Sequence, residues 1–179
     1  MMERPLSVPR ALDAAPRRPY RSPEDGPRIS VRPRKTLPHE FPSFVDRGKE
    51  IFFITVCRQK RGVNQLAGHE VGPPLIETFQ HRNEKDVWWA HLAMIMPDHV
   101  HFLLSFPREN RIQVVMSKWK EWTAKSLGID WQRDFFEHRL RRGESYREKA
   151  DYILFNPVRA GLVSKTEDWP YVFLAGPQR

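Results

Sequence analysis

From about residue 44 onward, short apolar runs of strand character alternate with amphipathic stretches of helical period, and their order predicts a fold. Ile51-Phe52-Phe53-Ile54-Thr55-Val56 is β-branched and aromatic, the composition of a first strand covered on both faces. Residues 74–86 follow as a helix with Leu75, Ile76 and Phe79 on its apolar side. Residues 87–96 and 99–106 read as two strands joined at Pro97-Asp98, where proline presets the first corner of a tight turn and aspartate takes the second. That turn sets Met96 opposite His99 and Met94 opposite His101. Side chains alternate across a strand, so His99, His101, Leu92 and Leu103 share one face, while Trp89, Ala93, Ile95, Val100, Phe102 and Leu104 share the other. Both faces are apolar, and both call for cover.

A second helix is expected over residues 110–126, with Ile112, Val115, Met116 and Trp119 on its inner stripe and Trp122 at the margin of that stripe. Residues 131–140 carry Phe135-Phe136 and read as a fourth strand. The resulting order, β-α-β-β-α-β, is the ferredoxin-like arrangement, an α+β fold. One further helix follows. Ser145 with Glu148 three residues on forms a capping box that starts it near Tyr146, and Pro157 should end it at Phe155 or Asn156. Coming last, this helix covers the face that the other two leave open.

Residues 1–43 break the pattern. They show no sustained apolar period and hold more than half of the sixteen prolines together with many arginines, the composition of a disordered extension. The folded part is then one domain over residues 44–179. A net charge of +8 favours an anionic partner such as nucleic acid. Cys57 stands alone, which excludes a disulfide framework and a cysteine zinc site. No apolar stretch is long enough to span a bilayer and the N-terminus lacks a continuous apolar run, so no membrane partner and a cytoplasmic location are expected.

Two features carry candidate chemistry. His99-Val100-His101 sets two imidazoles on one strand face, where they can converge on a divalent ion. The same pair also fits two histidines satisfied by backbone or surface partners. Downstream, Tyr152 and Asn156 stand four residues apart, one helical turn on one face. A helical tyrosine packs its ring and bonds its hydroxyl far more often than it attacks phosphate. Asn156 also fits the N-cap of a short turn that begins at Pro157.

The two strings Met96-Pro97-Asp98-His99-Val100-His101-Phe102-Leu103-Leu104 and Tyr152-Ile153-Leu154-Phe155-Asn156-Pro157-Val158-Arg159-Ala160-Gly161-Leu162-Val163, in this order and spacing, resemble the REP-associated tyrosine transposases, a branch of the single-tyrosine HUH transposases. The likeness covers about residues 44 to 170. It implies a catalytic domain that cleaves and rejoins single-stranded DNA at hairpin-bearing repeats of the REP type, through a 5'-phosphotyrosine intermediate. Carried over residue by residue, it makes Tyr152 the nucleophile, His99 and His101 ligands of a divalent metal ion, Mg²⁺ or Mn²⁺, and Asn156 a further ligand. It also implies a nucleoid-associated protein. The long Pro/Arg leader lies outside the family core, and Asp168-Trp169-Pro170-Tyr171-Val172-Phe173 keeps only part of the ending common in the family. A monomer and a homodimer fit the chain equally.

Alternatives attach to several residues. Tyr146 is the rival nucleophile, and Glu148, on the Tyr152 face, has the simpler account of a cap. Asp98 is taken as a turn residue rather than a partner of a histidine. His91 falls on the face away from His99. Arg139, Arg141 and Arg142 stand ready for DNA phosphates or for solvent, and Trp131 and Trp169, flanking loops, are the better candidates for stacking on bases. Two other functions suit the same chain: a non-catalytic ferredoxin-like module that binds nucleic acid, or an H-x-H metal hydrolase that uses activated water.

Overall fold

The computed structural model describes residues 50–141 and 144–175, and the expected extension over residues 1–43 lies outside them. The elements run β1 (Phe52–Cys57), α1 (Gly72–Glu84), β2 (Trp89–Met96), β3 (His99–Ser105), α2 (Ile112–Leu127), β4 (Phe136–Arg139), α3 (Tyr146–Leu154), α4 (Asn156–Arg159) and β5 (Val172–Leu174). They build a five-stranded sheet in the order β4-β1-β3-β2-β5, antiparallel at every pairing. The first four strands have the expected ferredoxin-like order, and β5 extends the sheet beyond β2.

The chemistry of the ends explains the elements. α1 begins two residues earlier than the apolar pattern indicated, with proline in its first positions, where a missing N–H costs nothing. α2 stops at Gly128, whose φ of +65° is the left-handed conformation that glycine adopts without strain. α3 starts at Tyr146, and Ser145 Oγ accepts the Glu148 amide at 3.3 Å, as a serine cap should. The chain then passes through Phe155 into the short α4, with proline in its first turn.

Two cores lie on the two faces of the sheet. On one, Phe52, Ile54, Val56, Ala93, Ile95, Val100, Phe102 and Leu104 pack against Leu75 and Phe79 of α1 and Ile112, Met116 and Trp119 of α2. On the other, Leu92, Met94, Met96 and Leu103 pack with Ile153 of α3 and with Trp169. β1 records the division residue by residue: Phe52, Ile54 and Val56 are fully buried, and the alternate positions are half-buried on the α3 side. Trp122, placed at the margin of the α2 stripe by sequence, is exposed, and Arg82 lies 5.8 Å from its ring.

β5 has no counterpart in the sequence reading, because three residues beside Pro170 give too short a run to show a period. Its place is set by contacts made far away in sequence. The Ile95 amide donates to the Tyr171 carbonyl at 2.9 Å and the Ala175 amide to His91 at 3.1 Å. Gly72 allows this approach, since a Cβ there would stand 2.5 Å from the Tyr171 ring. Among the described residues, no helix is long and apolar enough to cross a membrane.

Candidate active site

β3 and its hairpin with β2 place the histidines. Met96 pairs with His99 and Met94 with His101 across the Pro97-Asp98 turn, so both imidazoles emerge on the α3 side of the sheet. Their Nε2 atoms lie 3.1 Å apart. Each ring is held from behind through Nδ1, His99 by Asp98 Oδ1 at 2.7 Å and His101 by Thr55 Oγ1 at 2.8 Å. Thr55 reaches His101 because β1 pairs with β3 in a register that sets the two directly opposite.

This wiring decides where protons sit. An ionised Asp98 only accepts, so His99 carries its proton on Nδ1 and presents a bare lone pair at Nε2. His101 has two options. With its proton on Nε2 it donates to His99, and with its proton on Nδ1 it donates to the Thr55 hydroxyl, leaving two lone pairs facing one point. The two arrangements differ by the tautomer of His101 together with a rotation of the Thr55 hydroxyl, which donates to Nδ1 in the first and accepts from it in the second. In the second, the donor set fits a divalent cation: two neutral imidazoles, each anchored through its other nitrogen. Among the described residues no third His, Cys, Asp or Glu joins them, so further ligands must be amides, water or substrate oxygens.

The electrostatics keep the rings neutral. Burial lowers the His101 pKa to about 3, and the charges of His99, Arg61 and Arg159 push the same way. Burial also lowers His99, against the opposing pull of Asp98. For Asp98 itself burial works upward, but the Gly62 amide, His99 and Arg61 together hold its carboxyl below the usual range. Asp98 Oδ2 accepts from the Gly62 amide at 2.6 Å and pairs with Arg61 Nε at 3.1 Å. Asp98 is therefore more than the turn residue expected from sequence: while completing the turn, it fixes the tautomer of its neighbour and ties the loop after β1 to the hairpin.

α3 brings Tyr152 to this face. Its ring centroid is 6.5 Å from that of His101 and 6.2 Å from that of Phe53, which in turn stacks on His101 at 5.5 Å. Half of the Tyr152 surface is exposed, so an incoming group can reach it. Tyr146 sits elsewhere, 6.1 Å from His91, and burial pushes its phenol up and away from ionisation. Asn156 follows Tyr152 across the α3–α4 joint. Its Oδ1 accepts from Arg159 at 2.9 Å, while its Nδ2 is buried without a hydrogen-bond partner. Arg159 also lies over the Tyr152 ring, 4.3 Å from its centroid.

Several expectations need correction. His91 does not point away from His99. The β2–β3 register shifts between Ala90 and Leu92, leaving His91 as an extra residue in a bulge. Parity resets there, Trp89 pairs with Ser105, and His91 Nε2 meets Ser105 Oγ at 2.8 Å. Trp169 is no stacking platform, being buried with its Nε1 donating to the Ile95 carbonyl at 2.9 Å. Trp131 packs on the main core and donates to Thr123 at 2.9 Å. Arg139 pairs with Glu50 at 3.4 Å, and Arg142 lies outside the described residues. Thr55, Phe53, Arg61 and Arg159 were missed. For the first three the missing information is which strands and loops meet, while Arg159 stood inside a string already singled out.

No protein-family model matches the chain. It is 28% identical over 141 residues to a Haemophilus influenzae protein named as a REP-associated tyrosine transposase, covering 68% of this chain and 77% of that one. To the REP-associated tyrosine transposase of Escherichia coli it is 34% identical over 83 residues, 44% of this chain and 49% of that protein. In fold it is similar to a REP-associated tyrosine transposase whose structure was solved bound to a REP hairpin, with a TM-score of 0.61 and 25% identity over 74% of this chain and 81% of the other.

Proposed function

Starting from its relation, in sequence and in fold, to the REP-associated tyrosine transposases, we propose that this chain cleaves and rejoins single-stranded DNA at hairpin-bearing repeats through a 5'-phosphotyrosine at Tyr152. The observation that carries the reading is the pair of Nε2 atoms 3.1 Å apart, each ring anchored through Nδ1, with the Tyr152 ring 6.5 Å from His101.

His99 and His101 would hold a divalent cation, Mg²⁺ or Mn²⁺. Such an ion supplies Lewis-acid stabilisation of charge on the scissile phosphate. Both imidazoles are neutral donors, which leaves that charge undiminished. Tyr152 Oη attacks phosphorus, the bond from phosphorus to the 3' oxygen breaks, the phenol gives up its proton, and the departing 3' oxygen takes one up. Rejoining is the same exchange in reverse, with a 3'-hydroxyl as attacking group. In-line approach requires a phosphate that the tyrosine can reach opposite its leaving oxygen. A single strand at the foot of a hairpin offers that geometry more readily than a regular duplex. Asn156 is the proposed further ligand, through its carbonyl oxygen. The substrate places the action on chromosomal DNA in the cytoplasm.

The test is direct. Labelled single-stranded hairpin DNA is incubated with the full chain and Mg²⁺ or Mn²⁺, and denatured products are resolved. A protein-linked band should appear, vanish with Tyr152→Phe while DNA binding persists, and vanish with His99→Ala or His101→Ala. An adduct that survives Tyr152→Phe and is lost with Tyr146→Phe would overturn the assignment. Cleavage with no adduct would favour activated water instead.

A further inference from the structure

Arg159 belongs to α4, yet its side chain folds back over the end of α3. The guanidinium covers the Tyr152 ring at 4.3 Å. Its Nη2 donates to the Tyr152 carbonyl oxygen and, at 2.9 Å, to Asn156 Oδ1. The other half of the Asn156 amide, Nδ2, is buried without a partner. The charge of Arg159 is also felt by His101. One exposed cation thus engages the nucleophile's ring, the nucleophile's backbone and the amide one turn away.

The amide can bind a cation only through Oδ1, since its nitrogen is a donor. That oxygen is already taken by a guanidinium, and two positive groups on one oxygen repel. The oxygen has a second lone pair, so the two uses of Asn156 oppose each other through charge: the guanidinium weakens what the oxygen can offer a cation. Guanidinium has a better partner in a phosphodiester, whose paired oxygens match its fork of donors.

We propose that Arg159 is a latch on the site: it holds the Tyr152 ring and occupies the Asn156 carbonyl oxygen, and a backbone phosphate of the DNA strand draws it away and frees that oxygen for the metal. The inference rests on the reading above, in which His99 and His101 hold a divalent cation. Arg159 acts through Tyr152 and Asn156 and is a positioning residue. Arrival of the strand and completion of the metal's ligand set become one event, so an ion bound without DNA lacks the Asn156 ligand.

Mn²⁺ titration of the full chain without DNA, read by the electron paramagnetic resonance signal of the free ion, tests this apart from activity. Arg159→Ala and Arg159→Gln should each bind Mn²⁺ about three- to tenfold more tightly than the natural chain, because the competing charge is gone. Arg159→Lys, which keeps the charge, should stay near the natural value. Adding Asn156→Ala to Arg159→Gln should remove the gain. In a Tyr152→Phe background, an unlabelled hairpin oligonucleotide should tighten Mn²⁺ binding more with Arg159 present than with Arg159→Gln. A merely structural role predicts unchanged or weaker Mn²⁺ binding in both neutral variants, and that result would overturn the latch. If His99→Ala left Mn²⁺ binding intact, the metal reading itself would fall, a distinguishable failure.

Discussion

At the scale of single residues, the site depends on groups that hold the imidazoles from behind. Asp98 bonds His99 Nδ1 at 2.7 Å and so decides which nitrogen of that ring is bare. Asp98→Asn keeps the size and turn propensity of the side chain but can present an N–H where the carboxylate accepted. Loss of such an outer partner typically costs about tenfold to a hundredfold in metal affinity. Calorimetric Mn²⁺ titration well below the Tm of the variant should show a fall of that order, and an unchanged affinity would return Asp98 to a turn residue alone. His101 gives a second expectation. Its pKa is lowered by burial to about 3 in the folded chain, against an ordinary value of 6.5. Above the ordinary value both folded and unfolded rings are neutral. Below it the unfolded chain takes up a proton that the folded chain refuses, so stability falls as pH drops from 6.5 toward about 3. His101→Gln removes this penalty. In EDTA its Tm should decline less than that of the natural chain between about pH 7 and about pH 4.5, whatever its starting value.

At the scale of elements, α3 is short, carries one fully buried side chain, Ile153, and must hold Tyr152 steady over the sheet. Its start is fixed by Ser145, whose hydroxyl accepts the Glu148 amide. Ser145→Ala should lower unfolding free energy by about 1 kcal/mol in urea, and Ser145→Asp, an equally good cap, should restore most of it. Equal stability of the serine and alanine chains would mean that packing of Ile153 alone sets this helix. The hairpin of β2 and β3 works differently, because its two-residue turn sets the pairing and thereby the face on which both histidines emerge.

For the molecule as a whole, the sheet separates its two faces. α1 and α2 cover the larger core on one side, and the histidines, Tyr152 and Arg159 gather on the other. The whole chain carries a net charge of +8. Binding of hairpin DNA should therefore weaken steeply with salt, log K falling linearly with log salt concentration as displaced counterions are counted. A chain starting at Phe41 should bind less tightly, with a shallower slope, and still cleave. Filter binding across a salt series and the adduct assay measure the two effects separately, and a salt-independent affinity would argue against a phosphate-contacting partner.

The sequence by itself determined whatever depends on neighbours along the chain. The order of the first four strands and of α1, α2 and α3, the common face of His99 and His101, the Ser145 cap and the Tyr152–Asn156 spacing all follow from local period and turn chemistry. Only the tertiary structure decided what depends on pairing at a distance. Thr55 meets His101 across 46 residues because β1 lies beside β3. Trp169 is buried because its indole finds the Ile95 carbonyl 74 residues away. His91 changed faces through a bulge, whose single extra residue leaves no mark in an apolar run and yet inverts the side-chain parity. Local rules fix which way a side chain points along its own element, and packing between elements fixes what it meets there.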